Sequence, residues 1–319
     1  VSDYVVALTG GVGGAKLAYG LTQVFEKERV KFVVNTGDDF VYNGLYICPD
    51  IDTLMYTLSG SNDQDKGWGL QDETWTLHNQ LEKLGVTSWF QIGDKDAATH
   101  IARTTQLSEG KCLTSITREL CDAFGVENEI YPLSDLTIST KVVTKEFGEL
   151  SFQDYFVKNK CEPSVEEIRF EGDGLEFPNP QFLSLLESDN LKGVIVCPSN
   201  PYLSLEAFFL CKDVKKMLSE LSVPVVVISP IIQGDSIKGP TKKIMSELGL
   251  DTSVLSIAEH YKEMATCIFI DNKDLNLKSE IEKFGIDVSV SNIYMDDAAK
   301  KVALANEVKN YIFNYNKSE

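Results

Sequence analysis

The residues best suited to chemistry come first in the chain. Thr9-Gly10-Gly11-Val12-Gly13-Gly14-Ala15-Lys16 follows an apolar run and precedes a segment with helical periodicity. Glycines let the backbone turn tightly and aim several N–H groups at one point, and a helix N-terminus adds partial positive charge, so the guest that suits such a turn is a phosphate. Gly10, Gly11, Gly13 and Gly14 are the candidate cradle, with Lys16 placed to compensate charge. Neither familiar glycine fingerprint fits. A Walker loop would need glycine at Ala15 and a hydroxyl at Leu17, and a dinucleotide loop starting at Gly11 would need glycine at Lys16. Ordinary kinase and dehydrogenase chemistry therefore lose support.

Three acidic pairs stand at expected loop positions: Asp38-Asp39 after the second strand, Asp50-Ile51-Asp52 opening a helix, and Asp94-Lys95-Asp96 opening another. In an open α/β sheet ligands collect beyond the carboxyl ends of the strands, where the first two pairs should face the glycine turn. Magnesium on a phosphorylated substrate takes only one or two protein carboxylates and keeps several waters, so a pair suffices; Asp39, Asp50 and Asp52 are the candidate metal and catalytic set. Asp50 or Asp52, and Asp94, would also serve as helix N-caps. A third loop, Cys197-Pro198-Ser199-Asn200-Pro201, offers a hydroxyl, an amide and free N–H groups, which makes Ser199 and Asn200 further phosphate or nucleotide contacts. A fourth runs from Ser229-Pro230 to Lys238-Gly239-Pro240.

Other chemistries find little support. His78, His100 and His260 lie far apart with no metal-ligand spacing, there is no Gly-x-Ser-x-Gly elbow, and the seven cysteines contain no C-x-x-C pair. Unpaired thiols fit a reducing cytoplasm. What remains is phosphoryl-type transfer by positioning and metal electrostatics.

The elements that must hold these loops follow a pattern of strand-length apolar runs alternating with helix-period segments, which predicts parallel strands joined by crossover helices, a Rossmann-like doubly wound α/β fold. Strands are expected at 4–8, 31–35, 193–197, 224–229, 267–270 and 287–290, and helices near 14–26, 50–58, 72–84, 95–107, 113–124, 202–220, 240–248 and 296–313. From 136 to 189 the texture changes: two β-rich arms flank Glu146-Phe147-Gly148, which predicts a small insertion containing a β-hairpin within a core formed by 1–135 and 190–319. The 319 residues carry 30 Lys+Arg against 48 Asp+Glu, a formal charge of −18, which disfavours nucleic acid as a partner. The start lacks the pattern of a signal segment, and no 18-residue apolar run predicts a membrane span.

Taken together, Thr9–Leu17, Val34-Asn-Thr-Gly-Asp-Asp-Phe40, Ile47-Cys-Pro-Asp-Ile-Asp-Thr-Leu-Met-Tyr56, Gly67-Trp-Gly-Leu70, Ile92-Gly-Asp-Lys-Asp-Ala-Ala-Thr-His100, Pro198–Pro201 and Ser229-Pro-Ile-Ile232 resemble the 2-phospho-L-lactate transferase family of deazaflavin coenzyme biosynthesis. The resemblance implies a magnesium-dependent transfer of a phospholactyl group from a guanosine diphosphate-linked 2-hydroxy acid onto the terminal ribityl hydroxyl of the deazaflavin Fo, releasing GMP, a step towards coenzyme F-420. It also implies a homodimer. The family's deazaflavin contacts fall on Asp50 or Asp52 and on Lys95, beside Asp94; lysine there keeps the charge of the family's more common arginine and loses its planar fork. Trp68 and Trp75 are candidates to stack on the deazaflavin. The acid carried by the donor, lactate, enolpyruvate or a glycerate, stays open at this level. The alternative reading is a non-catalytic nucleotide-sugar-binding regulator of the same superfamily, against which Pro49–Thr53 and Gly93–Asp96 argue.

Overall fold

The computed structural model describes residues 2–237 and 239–315, so Lys238, part of the fourth loop above, lies outside the described residues. Seven parallel strands form the central sheet, in the spatial order Asp287–Ser291, Cys267–Asp271, Val225–Ile228, Leu191–Val196, Tyr4–Thr9, Val30–Val34 and Ile130–Pro132. In chain order the sheet runs outward from the first strand in both directions, the doubly wound Rossmann-like arrangement. The register aligns Thr9 with Val34 on one side and Leu8 with Val196 on the other. Every residue of Tyr4–Thr9, Val30–Val34, Val225–Ile228 and Cys267–Asp271 is buried, as expected where helices cover both faces of a parallel sheet. Two apolar clusters fill the two faces, one built on Val5, Ala7 and Phe32 and the other on Val6, Leu8 and Val33.

Helix α1 (Gly11–Val24) leaves the first strand directly. It packs against the C-terminal helix Ala298–Asn314 so closely that a Cβ on Gly20 would lie 2.2 Å from the Lys301 carbonyl oxygen. Helix α2 (Pro49–Leu58) begins with proline in its first turn, where a missing N–H costs nothing. Next come α3 (Thr76–Lys83), α4 (Asp94–Ser108) and α5 (Leu113–Ala123). No helix among the described residues is long and apolar enough to cross a membrane.

The insertion contains a three-stranded antiparallel sheet with Ser139–Thr144 between Gly148–Ser151 and Val165–Glu171. The hairpin lies where the sequence places it, but its second arm stops at Ser151. The chain then coils into a wide helical turn, Asp154–Lys158, that buries Gln153 and Tyr155. The expected 202–220 helix is likewise three pieces, Pro201–Leu205, Glu206–Leu210 and Val214–Glu220; the break falls at Asp213, which has φ 63°.

Candidate functional site

The strand order reverses between Tyr4–Thr9 and Leu191–Val196, and this switch point opens a crevice at the strands' carboxyl ends. The loops after these two strands interlock: the Gly10 N–H donates to Ser199 Oγ at 3.1 Å. A Cβ on Gly13 would stand 2.2 Å from the Pro198 carbonyl oxygen, so only glycine allows this backbone contact. Gly11 has φ +66°, the left-handed region that glycine enters without strain. The N-terminus of α1 thus opens into a cleft of about 610 Å³, lined at its centre by Gly10, Gly11, Gly13, Lys16, Asp38, Asp50 and Ser199. Gly14 is buried behind it. Asn200 also lines the cleft; its Oδ1 accepts from the N–H groups of Tyr202 and Leu203, while its Nδ2 is buried with no partner.

Asp50 faces the glycine turn. Its Oδ2 accepts from Asn35 Nδ2 at 3.0 Å, and Asn35 Oδ1 in turn accepts the Gly37 N–H at 2.9 Å. Burial pushes the Asp50 carboxyl up to about 6 against the lowering effect of hydrogen bonds from Asn35 and the Gly11 N–H. Asp38 is raised well above the ordinary carboxylate range, first by burial and then by the charges of Asp50 and Asp39, while hydrogen bonds from Thr140 and Asn35 oppose the rise. Asp39 is raised too, chiefly by burial; it does not line the cleft, and its two buried carboxylate oxygens make no hydrogen bond to nitrogen or oxygen.

Asp52, two residues along α2, also lines the cleft, as do Tyr56, Asp96 and His100, but its carboxylate is held by a buried cation. Arg103, with no exposed surface, grips it with both terminal nitrogens, Nη1 at 3.1 Å from Oδ2 and Nη2 on Oδ1. His100 completes the cluster, with Nδ1 3.3 Å from Arg103 Nη1 and Nε2 3.3 Å from Asp96 Oδ2, and the Tyr56 hydroxyl donates to Asp96 Oδ1 at 2.8 Å. Burial alone would raise the Asp96 carboxyl, but His100 and the Tyr56 hydroxyl hold it below the ordinary range.

Two carboxylate sets therefore offer themselves to a metal. Asp52, Asp96 and His100 bring one ligand atom each within 4.8 Å of one another, but the Arg103 guanidinium already sits against this set as a fixed cation. Asp38 and Asp50 line the same cleft and repel one another, and Asp50 stands beside the glycine turn. Two such carboxylates fit magnesium, which keeps water and substrate phosphate as its other ligands.

Lys95 and Asp94 are not brought to this cleft. Lys95 Nζ donates to the Gln71 carbonyl oxygen at 2.9 Å, and the residue lines a separate shallow cavity on the far side of α4. Asp94 accepts from the Thr74 hydroxyl at 2.6 Å and from the N–H groups of Thr76 and Leu77, holding the start of α3; Glu73 does the same for α4 through the N–H groups of Lys95 and Asp96. Trp68 lines the cleft and Trp75 does not.

The rest of the cleft has two characters. Loops of the first half and the insertion supply Trp68, Trp89, Phe90, Phe152 and Phe156, an aromatic wall; the second half supplies Pro198, Pro230, Ile237, Ile293 and Met295. Sequence reasoning named Asp96 only as half of an acidic pair opening a helix, and did not single out Asn35, Arg103 or most of that wall. The i, i+4 and i, i+3 steps of Asp96, His100 and Arg103 along α4 carried a readable signal of one polar face.

The chain is similar to known proteins along nearly its full length. The family described as 2-phospho-L-lactate transferase CofD matches residues 5–304. A phosphoenolpyruvate transferase of Streptomyces griseus is 32% identical over 308 residues, covering 95% of this chain and 96% of that protein. A 2-phospho-L-lactate transferase of Methanococcoides burtonii is 34% identical over 304 residues, covering 93% and 98%, and that of Methanocaldococcus jannaschii is 32% identical over 307 residues, covering 95% and 96%. Among solved structures, a member of the UPF0052 family from Bacillus halodurans superposes with a TM-score of 0.57 at 15% identity, covering 98% of this chain and all of that one, a likeness of fold alone.

Proposed function

The chain belongs to the 2-phospho-L-lactate transferase CofD family, and from that premise we propose that it moves a phospholactyl or phosphoenolpyruvyl-type group from a guanosine diphosphate-linked donor to the ribityl hydroxyl of the deazaflavin Fo, releasing GMP on the route to coenzyme F-420. The observation that carries the reading is the junction of Gly10 with Ser199 beside Asp50, in one cleft with an aromatic wall. Relatives bearing both transferase names match at similar identity, which is why both acids are kept.

Gly10, Gly11 and Gly13 with the N-terminus of α1 bind the donor's diphosphate, Gly14 lets the turn pack on Thr9 and Ser199 behind them, and Lys16 and the unpartnered amide of Asn200 add positive charge and a donor at its rim. The aromatic wall takes the planar acceptor by its faces and presents the ribityl chain to the diphosphate. A new bond forms from the hydroxyl oxygen to the phosphorus bearing the acid, the bond to GMP breaks, and a cleft carboxylate accepts the proton. Asp38 and Asp50 would hold magnesium, which when bound supplies positive charge to the diphosphate oxygens. Asp52 serves as support: it fixes Arg103 and through it the packing of α2 on α4. The seven free thiols suit a cytoplasmic enzyme, and as the family resemblance implies we take it to act as a homodimer on small-molecule substrates.

The test is purified protein with Fo, magnesium and the lactyl, enolpyruvyl and glyceryl donors in turn, read by product mass. A product heavier than Fo by one acid-phosphate, with GMP in equal amount, is expected; nucleotide binding without any product returns the regulator reading.

A further inference from the structure

The Asp38 carboxylate and backbone are held largely from outside their own loop. Thr140 Oγ1 donates to Asp38 Oδ1 at 3.2 Å, the Thr140 N–H donates to the Gly37 carbonyl oxygen at 2.8 Å, and Gln153 Nε2 donates to the Asp38 carbonyl oxygen at 3.2 Å. Both side chains belong to the antiparallel insertion, more than a hundred residues along the chain, and both are buried, Thr140 to 2% and Gln153 to 4% exposure. The fit leaves no slack: a Cβ on Gly37 would stand 2.8 Å from Thr140 Oγ1. Buried polar groups make such bonds because leaving one unmade is costly, so these contacts define where Asp38 sits.

We propose that Thr140 and Gln153 are positioning residues of the transfer reaction, which hold Asp38 in the cleft it shares with Asp50 and make the insertion part of the catalytic apparatus. Gln153 also stands between Phe152 and Phe156, which line the cleft as part of the aromatic wall. One short stretch, 152–156, therefore presents the acceptor's surface with two side chains and secures the acidic loop with a third. The inference rests on the reading of Asp38 and Asp50 as the magnesium-facing pair, and goes beyond it by naming what sets their separation.

The experiment compares wild type with Thr140→Val, Thr140→Ser and Gln153→Met. Each is assayed for manganese binding with GDP present, followed by electron paramagnetic resonance, for kcat and KM with donor and Fo, and for thermal midpoint. Thr140→Val is expected to raise the metal concentration for half-occupancy fivefold or more and to lower kcat tenfold or more, with the donor KM within threefold of wild type. Thr140→Ser, which restores the hydroxyl, is expected to stay within twofold on both counts, and Gln153→Met to move in the direction of Thr140→Val. Unchanged metal affinity in Thr140→Val and Gln153→Met overturns the proposal, as does a Thr140→Ser variant as impaired as Thr140→Val. If Thr140→Val does not fold, Gln153→Met decides alone. A wild type inert with every donor defeats the transferase reading while leaving the manganese measurement intact.

Discussion

Arg103 closes a two-pronged hydrogen bond on Asp52, while Asp50, two residues earlier on the same helix, turns to the glycine loop and accepts from Asn35. Both carboxylates line the cleft, but half a helical turn separates one neutralised by a buried guanidinium from one beside the glycine loop, and the two aspartates of Pro49–Thr53 should respond to mutation in different ways.

Asp50→Asn is expected to keep the fold, because the amide fills the same space, and to lower kcat by a hundredfold or more. Circular dichroism and steady-state kinetics on one preparation check both halves, and turnover within threefold of wild type removes Asp50 from the reaction.

Asp52→Asn strands the buried guanidinium of Arg103. Breaking one side of a buried pair typically costs about 3–5 kcal/mol, so urea unfolding should show a loss of that order. Arg103→Met, which removes the charge that needs a partner, should cost less when combined with Asp52→Asn than the two single losses summed.

The raised carboxyl of Asp50 makes stability depend on pH. Below the usual carboxylate value of 3.8 the group is protonated in folded and unfolded chains alike. Above it the unfolded chain ionises first, and stability falls until the folded group ionises near 6. The loss is on the order of 3 kcal/mol for a shift of this size, and Asp38 and Asp39, raised for the same reason, act in the same direction. In EDTA the stability difference between pH 4 and pH 7.5 should therefore be larger in wild type than in Asp50→Asn, and magnesium should narrow it. An equal pH dependence in the two proteins would falsify the assignment.

Phe156 is 37% exposed at the cleft and stacks on Phe152 at 5.2 Å between ring centroids. Its truncation to alanine leaves the core intact and removes part of the aromatic wall. An aromatic contact is worth about 0.5–1.5 kcal/mol beyond burial, so kcat/KM for Fo should drop roughly two- to tenfold while the KM for the guanosine donor holds.

Lys95→Ala is expected to change Fo use by less than about threefold, because the ammonium is bonded to the Gln71 carbonyl oxygen outside the cleft and an exposed polar contact of this kind contributes little. A loss of tenfold or more, selective for Fo, would restore the acceptor role that the family resemblance implies and would require α4 to turn.

The inner strands of the sheet were legible because burial on both faces makes them runs of apolar residues, and the edge strand Asp287–Ser291 was legible through its alternation of valine with polar residues. Ile130–Pro132 was not, being three residues long and ended by proline at the sheet edge. The hairpin Phe40–Tyr42 with Leu45–Ile47 was hidden for the same shortness. At the site, glycine spacing announced the tight turn between strand and helix, since a Cβ at Gly13 would collide with the Pro198 carbonyl oxygen and Gly11 has a positive φ. Which acid faces it was not readable: Asp38 and Asp39, or Asp50 and Asp52, are equivalent as letters, and only the phase of the helix and the partner that each finds across the fold tell them apart. Thr140 and Gln153 carry no local mark at all, because their role exists only once the insertion has docked.

The contact between Gly10 and Ser199 spans 189 positions of chain, and this separation has a consequence for the order in which the molecule acquires its parts. During synthesis the glycine turn leaves the ribosome well before the loop that sets its shape, and long-range contacts of this kind are the slowest to close. A nascent or truncated chain can build the first two strands and α1 and still present no nucleotide cradle. Premature termination anywhere before Ser199 therefore yields a fragment without the completed glycine turn, and under the proposed function nucleotide capture reports on completion of the second half of the sheet.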